Sequence, residues 1–140
     1  MVMEQLAVEI VGLCREYGEC RVEVERMEEA RRVKNALESV CSMARQRLDI
    51  SDPALLLALL DACEVTRDEG MLQEVLDVVG RNLDRLAVSA ESVKLLACCY
   101  YYVEEEECVE RAGRMLEELR KMGRGEEELA DVETILEELT

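Results

Sequence analysis

The sequence predicts an all-α fold. Apolar residues recur at three- and four-residue spacing along the whole chain, and no segment sustains the alternation of a half-buried strand. Pro53 is the one proline, so few positions break a helix covalently. There is no Phe and no Trp, which leaves Leu, Val, Ala, Met and Cys to fill the interior. Leu, Ala and Met favour helices, as do Glu and Arg on the surface. A length of 140 residues, 49% of them hydrophobic, is enough for one core. Residues 1–140 are therefore expected to form a single helical domain.

Seven helices are expected, paired by short connections into antiparallel hairpins. The hairpins span about 3–48, 53–87 and 90–122, and a last helix covers 126–139. The first helix runs from Met3 to Tyr17, with Leu6, Ile10, Leu13 and Tyr17 on one face and Val11 and Cys14 beside it, and stops at Gly18. The second is long, Cys20 to Leu48, with a stripe of Met27, Ala30, Val33, Leu37, Val40, Cys41, Ala44 and Leu48. Asp52 then suits an N-cap and Pro53 the first helical position. Helix three, Pro53 to Thr66, is apolar almost all round, so it should be buried on most sides.

After a turn at Asp68–Gly70, helix four is expected over Met71–Leu86. Ser89 caps helix five, Ala90–Val103, whose last nine residues from Leu95 carry no charge. Helix six follows over Glu105–Met122. A linker at Gly123–Gly125 leads to helix seven, Glu126–Leu139. Leu129, Val132, Ile135, Leu136 and Leu139 make its narrow apolar face, and its other sides are acidic, as in a helix that caps an array. Gly12, Gly80 and Gly113 fall inside predicted helices, each costing about 1 kcal/mol against Ala. Close approach of another helix is the expected reason for them, with a kink as the alternative.

Helices three–four and five–six have matching lengths. A shift of 36 residues lays Leu59 on Leu95, Leu60 on Leu96, Leu72 on Cys108, Leu76 on Ala112, Val79 on Met115 and Leu83 on Leu119. A two-helix period in the mid-thirties is the mark of helical-hairpin solenoids. Within it, Leu96, Ala97 and Tyr100 stand at a bulky–small–Tyr spacing, followed by Val109, Gly113 and Leu116 on the next helix. Leu59, Leu60 and Cys63, then Leu72, Leu76 and Val79, occupy the corresponding places one unit earlier. This pattern resembles a tetratricopeptide-repeat array over about 53–123. It departs from that family in lacking the proline that ends each unit and in its overlong second helix. The resemblance implies a right-handed α–α superhelix with helix seven as a cap, and peptide or protein binding in a concave groove. A compact helical bundle is the alternative.

Composition excludes several functions. With 17 basic and 33 acidic residues the net charge is −16, which repels a phosphate backbone and an anionic membrane alike. Neither nucleic acid nor membrane is an expected partner. The stretch Met1–Cys14 holds Glu4 and Glu9 and does not read as a leader, and the longest apolar run, Leu95–Val103, is too short to span a bilayer. A cytoplasmic location is expected. Seven cysteines, without any CxxC, read as small core residues, with one or two disulfides as the alternative. An excess of Glu over Asp, short loops and few Asn and Gln hint at a thermophile.

Histidine is absent, which removes Ser–His–Asp, Cys–His and Glu-x-x-His constellations. No catalytic residue, metal ligand or cofactor is assigned, and the chain is read as a non-enzyme. Glu104, Glu105, Glu106 and Glu107 read as an acidic first turn of helix six, or as a dock for a basic partner. Tyr100, Tyr101 and Tyr102 are the most informative local feature. Successive helical residues point about 100° apart, so at least one ring must reach the surface. Tyr101 and Tyr102, with Lys94 and Arg67 near them, are the candidate partner-binding residues. The expected function is a protein-interaction module. The alternatives are a bundle subunit that forms a homodimer through helix two, whose arginines would meet the acidic end of a second copy, or an acidic nucleic-acid mimic.

Overall fold

The computed structural model describes residues 3–123 and 126–139, and the side chains of 5–123 and 129–138. Among these residues there are seven α-helices and no strand: α1 (Met3–Cys20), α2 (Met27–Arg45), α3 (Pro53–Thr66), α4 (Glu69–Arg81), α5 (Ala90–Val103), α6 (Glu106–Lys121) and α7 (Glu126–Leu139). Two 3-10 turns, Val24–Arg26 and Leu83–Arg85, join the set. The fold is all-α, as the periodicity requires.

Several boundaries differ from the sequence expectation. Gly18 does not stop α1, because Cys20 two residues on is fully buried and holds the last turn in place. Residues 21–25 are all exposed, Val22 and Val24 among them, so no burial supports helix there and α2 starts at Met27 rather than near Cys20. Met27 itself is 60% exposed, and the buried stripe of α2 begins at Ala30. That helix ends at Arg45, short of Leu48, and Asp49 Oδ1 then accepts from the Ser51 backbone N–H in a local turn. Helix α4 starts two residues early because Asp68 caps it, accepting from Met71 N–H at 3.0 Å. It ends at Arg81, and the chain reaches Leu86 through a 3-10 turn. In the expected linker 123–125, Gly123 sits in the left-handed region (φ 70) and the other two residues lie outside those described, as does the side chain of Leu139.

The backbone divides into two compact units, Met1–Val78 and Val79–Thr140. In the first, α1 packs against both α2 and α3. Leu6 and Ile10 of α1, Leu37 of α2, and Leu56 and Leu59 of α3 are all fully buried. Leu13 and Tyr17, expected on the inner face of α1, are only half-buried and Val11 beside it is exposed, while Cys14 is buried as expected and Ala7 completes the row. In the second unit α5 packs against α6 and α7. Val93, Leu95 and Leu96 of α5, Ala112 and Leu119 of α6 and Val132 of α7 are all at 0–1% exposure.

Helices α3 and α5 are built alike. Each has 14 residues. Each begins at a side-chain cap: Asp52 accepts from Leu55 N–H, and Ser89 from Ser92 N–H. Each ends at a non-glycine residue in the left-handed region, Arg67 (φ 58) and Glu104 (φ 53). Asp52 to Ser89 and Arg67 to Glu104 are both 37 positions. At this register the burial repeats: Leu55, Leu56, Ala58, Leu59, Leu60 and Ala62 fall on Ser92, Val93, Leu95, Leu96, Ala97 and Cys99, all buried. On the next helices Met71, Val75 and Val79 fall on Cys108, Ala112 and Leu116. The 36-residue shift is therefore one residue out of phase, since it would set buried Leu55 on exposed Glu91. Hydrophobic identity alone does not separate the two registers, because α3 and α5 are apolar at so many adjacent positions, whereas the places of Leu59, Leu60 and Cys63 and of Leu96, Ala97 and Tyr100 already stand 37 apart.

The buried hydroxyl of Ser92 is satisfied by the cap itself, at 3.0 Å from Ser89 Oγ. Close approach does not account for the glycines inside helices. A Cβ placed at Gly12, Gly80 or Gly113 would meet nothing within 4 Å, so no neighbour approaches closely there. Ala in place of Gly12 or Gly80 is expected to stabilise the fold by about 0.5–1 kcal/mol each, read by urea unfolding. Ser89→Ala is expected to cost about 1–2 kcal/mol in the same assay, since it removes a cap and leaves the Ser92 hydroxyl without its partner.

Candidate interaction face on α5

The uncharged end of α5 presents two kinds of surface. Val93, Leu95, Leu96, Ala97 and Cys99 are buried, while Lys94, Cys98 and Tyr102 are half-buried and Tyr101 is exposed. Lys94, Cys98 and the pair Tyr101–Tyr102 recur at helical spacing, so they share the outer side of the helix. Tyr101 is 73% exposed, far more than Tyr100 or Tyr102. Its ring meets that of Tyr102 edge-on, with centroids 5.3 Å apart and planes at 86°, a favourable aromatic geometry. The pair forms a stiff aromatic knob, continued by Val103 at 41% exposure.

The glutamates that follow do not form one turn. Glu104 ends α5 in the left-handed conformation, and its N–H donates to the Tyr100 carbonyl at 2.8 Å. Glu105 is the N-cap of α6 without a side-chain capping bond, and Glu106 and Glu107 lie in the first turn. All four are exposed. Glu107 faces Arg111 at 3.8 Å, and Arg111 in turn bonds Asp84, tying α6 to the 3-10 turn before α5. Arg67, the remaining candidate, is exposed at the C-cap of α3 in the first unit, so it does not share a helix with the other three.

A second feature went unread in the sequence. Arg45 donates from Nε to Glu74 at 2.9 Å and contacts Asp68 at 3.4 Å, so one guanidinium joins α2 to α4 and to its cap. The Glu74 carboxyl is held below its ordinary range by that hydrogen bond. A cleft of about 390 Å³ lies beside it, lined by Glu38, Cys41, Ser42, Arg45, Thr66, Asp68 and Met71. The N-cap role of Asp68, three residues before Met71, was the available signal; the pairing across 29 residues left none.

The cysteines are all free thiols, and six of the seven are buried. Burial is the main force raising Cys14 to about 11 and Cys41, Cys63 and Cys99 to about 12. Cys14, Cys41 and Cys63 lie on three different helices of the first unit; Cys14 also raises Cys41, and both raise Cys63. Among the described residues no group of three or more Cys, Asp or Glu side chains could hold a metal ion, and no helix is long and apolar enough to cross a membrane.

Compared with known proteins, the chain matches no family model, no curated protein and no solved structure.

Thiolate is the reactive form of cysteine, and burial suppresses it. At neutral pH a maleimide is expected to label Cys98, the one half-buried cysteine, well before the other six, all of which become reactive on denaturation. Peptide mass spectrometry of the labelled protein checks this.

Proposed function

We propose that the chain is a non-catalytic protein-interaction module, built on repeated helical hairpins, that holds its partner on the outer face of α5. One observation carries the reading. At the 37-residue register Tyr101 takes the place of Glu64, an exposed charge on α3. A solvated helix face is served by a residue such as Glu64. An aromatic ring left 73% exposed there keeps apolar area in water for which the fold has no use. Tyrosine is large, stiff and amphipathic, with few rotamers to lose on docking, which is why such residues anchor interfaces.

The matching caps and burial of α3 and α5 support a repeated construction, in keeping with the tetratricopeptide-like spacing. Lys94 contributes a cation on the same side of α5. In this reading Arg67, at the equivalent of Glu104 one unit earlier, marks the corresponding edge of the preceding hairpin.

The test is capture with the purified protein in extract of its source organism, followed by the same capture with Tyr101→Ala. A partner held by wild type is expected to be lost or weakened at least about tenfold with the variant, the size of a modest hot spot. Circular dichroism should be unchanged, because Tyr101 is largely exposed and its ring contact is with Tyr102, itself outside the core. Equal retention by both proteins would refute the reading.

A further inference from the structure

The charges around the knob bear on the chemistry of the partner. Glu104 to Glu107 begin three residues after Tyr101, and all are exposed. Only Glu107 has a cation nearby, at 3.8 Å; Glu104, Glu105 and Glu106 have no ion-pair partner among the described residues. Glu106 and Glu107 suit the first turn of α6, where the helix dipole favours acidic residues; Glu104 and Glu105 precede it. Glu104 holds a left-handed backbone that glycine would hold at less cost, and Glu105 occupies an N-cap without capping. An exposed phenol ring beside unneutralised carboxylates is complementary to one side chain above others. A guanidinium is planar, stacks on an aromatic face, and presents a fork of N–H donors to carboxylates. An ammonium group meets the charge but matches neither the ring nor the fork as well.

We infer that the α5 end docks an arginine-containing basic segment of the partner protein, one guanidinium lying on Tyr101 and its neighbours engaging Glu104–Glu107. The inference rests on the interaction reading above and adds the chemistry of what is bound. Charge steers such a segment to the site, and the ring selects arginine over lysine within it.

The experiment uses the full chain and three synthetic nonapeptides, of alternating Arg and Ser, Lys and Ser, or Glu and Ser, titrated by calorimetry at low and moderate salt. The Arg peptide is expected to bind about two- to fivefold more tightly than the Lys peptide, the range of an exposed cation–π contact, and the Glu peptide not at all. Tyr101→Ala should remove the Arg-over-Lys difference while leaving charge-dependent binding. Tyr101→Phe should keep the difference. Replacing Glu104–Glu107 with Gln should weaken both basic peptides and flatten their salt dependence, whereas Glu137→Gln with Glu138→Gln on α7, equally exposed, should not. Equal affinity for the Arg and Lys peptides would overturn the inference, as would absence of binding or an equal loss in the α7 variant. If a captured partner still depends on Tyr101 while the peptides behave in one of these ways, the inference alone falls. If capture is indifferent to Tyr101, the interaction reading falls with it.

Discussion

The structure depends on the removal of α3 and α5 from water. Neither helix has a sequence that can remain in solvent: seven of the 14 residues of each are buried, and the apolar positions are too many and too evenly spread for one narrow stripe. Hydrophobic burial is non-directional, so it draws other elements in without fixing where these helices begin or end. Their ends are set by hydrogen bonding. Asp52 and Ser89 satisfy free N–H groups at the start, and a single left-handed residue turns the chain away at the finish. Packing supplies the driving force and the caps supply the register.

This division explains what could be read in advance. The seven helices, the caps at Asp52 and Ser89 and the break at Pro53 depend on local chemistry, and the sequence displays them. The inner faces of α6 and of α2 from Ala30 onward also follow from periodicity, because those helices are amphipathic and their charged sides are unambiguous, whereas on α4 Leu72 and Leu76 read as inner residues and are only half-buried. Boundaries decided by tertiary burial were not legible. Gly18 reads as a stop until Cys20 is known to be buried, and residues 21–25 read as helix until they are known to be exposed. The in-helix glycines failed as clues because Gly12 and Gly80 lie at exposed positions where nothing approaches.

The candidate site was legible in part for a related reason. Three consecutive tyrosines cannot share a helical face, so exposure of one could be foreseen, but which one depends on the rotation of α5 in its packing. Tyr101 takes the outer place because Leu96, Ala97 and Cys99 take the inner one. The four glutamates looked like one helical turn and in fact straddle a chain reversal, since the left-handed conformation at Glu104 carries no sequence mark when the residue is not glycine. The bridge from Arg45 to Glu74 belongs to long-range geometry that local pattern does not encode.

The aromatic poverty of the core has a consequence for anyone observing the molecule. It has no tryptophan, and its four tyrosines are all half-buried or exposed. Every near-ultraviolet chromophore therefore stands at the periphery, and absorbance or intrinsic emission reports on the rim of the molecule and stays nearly mute about its centre. Sulfur is what the centre offers instead. In this protein the interior is visible through its thiols and the exterior through its phenols, two signals that divide the molecule by depth.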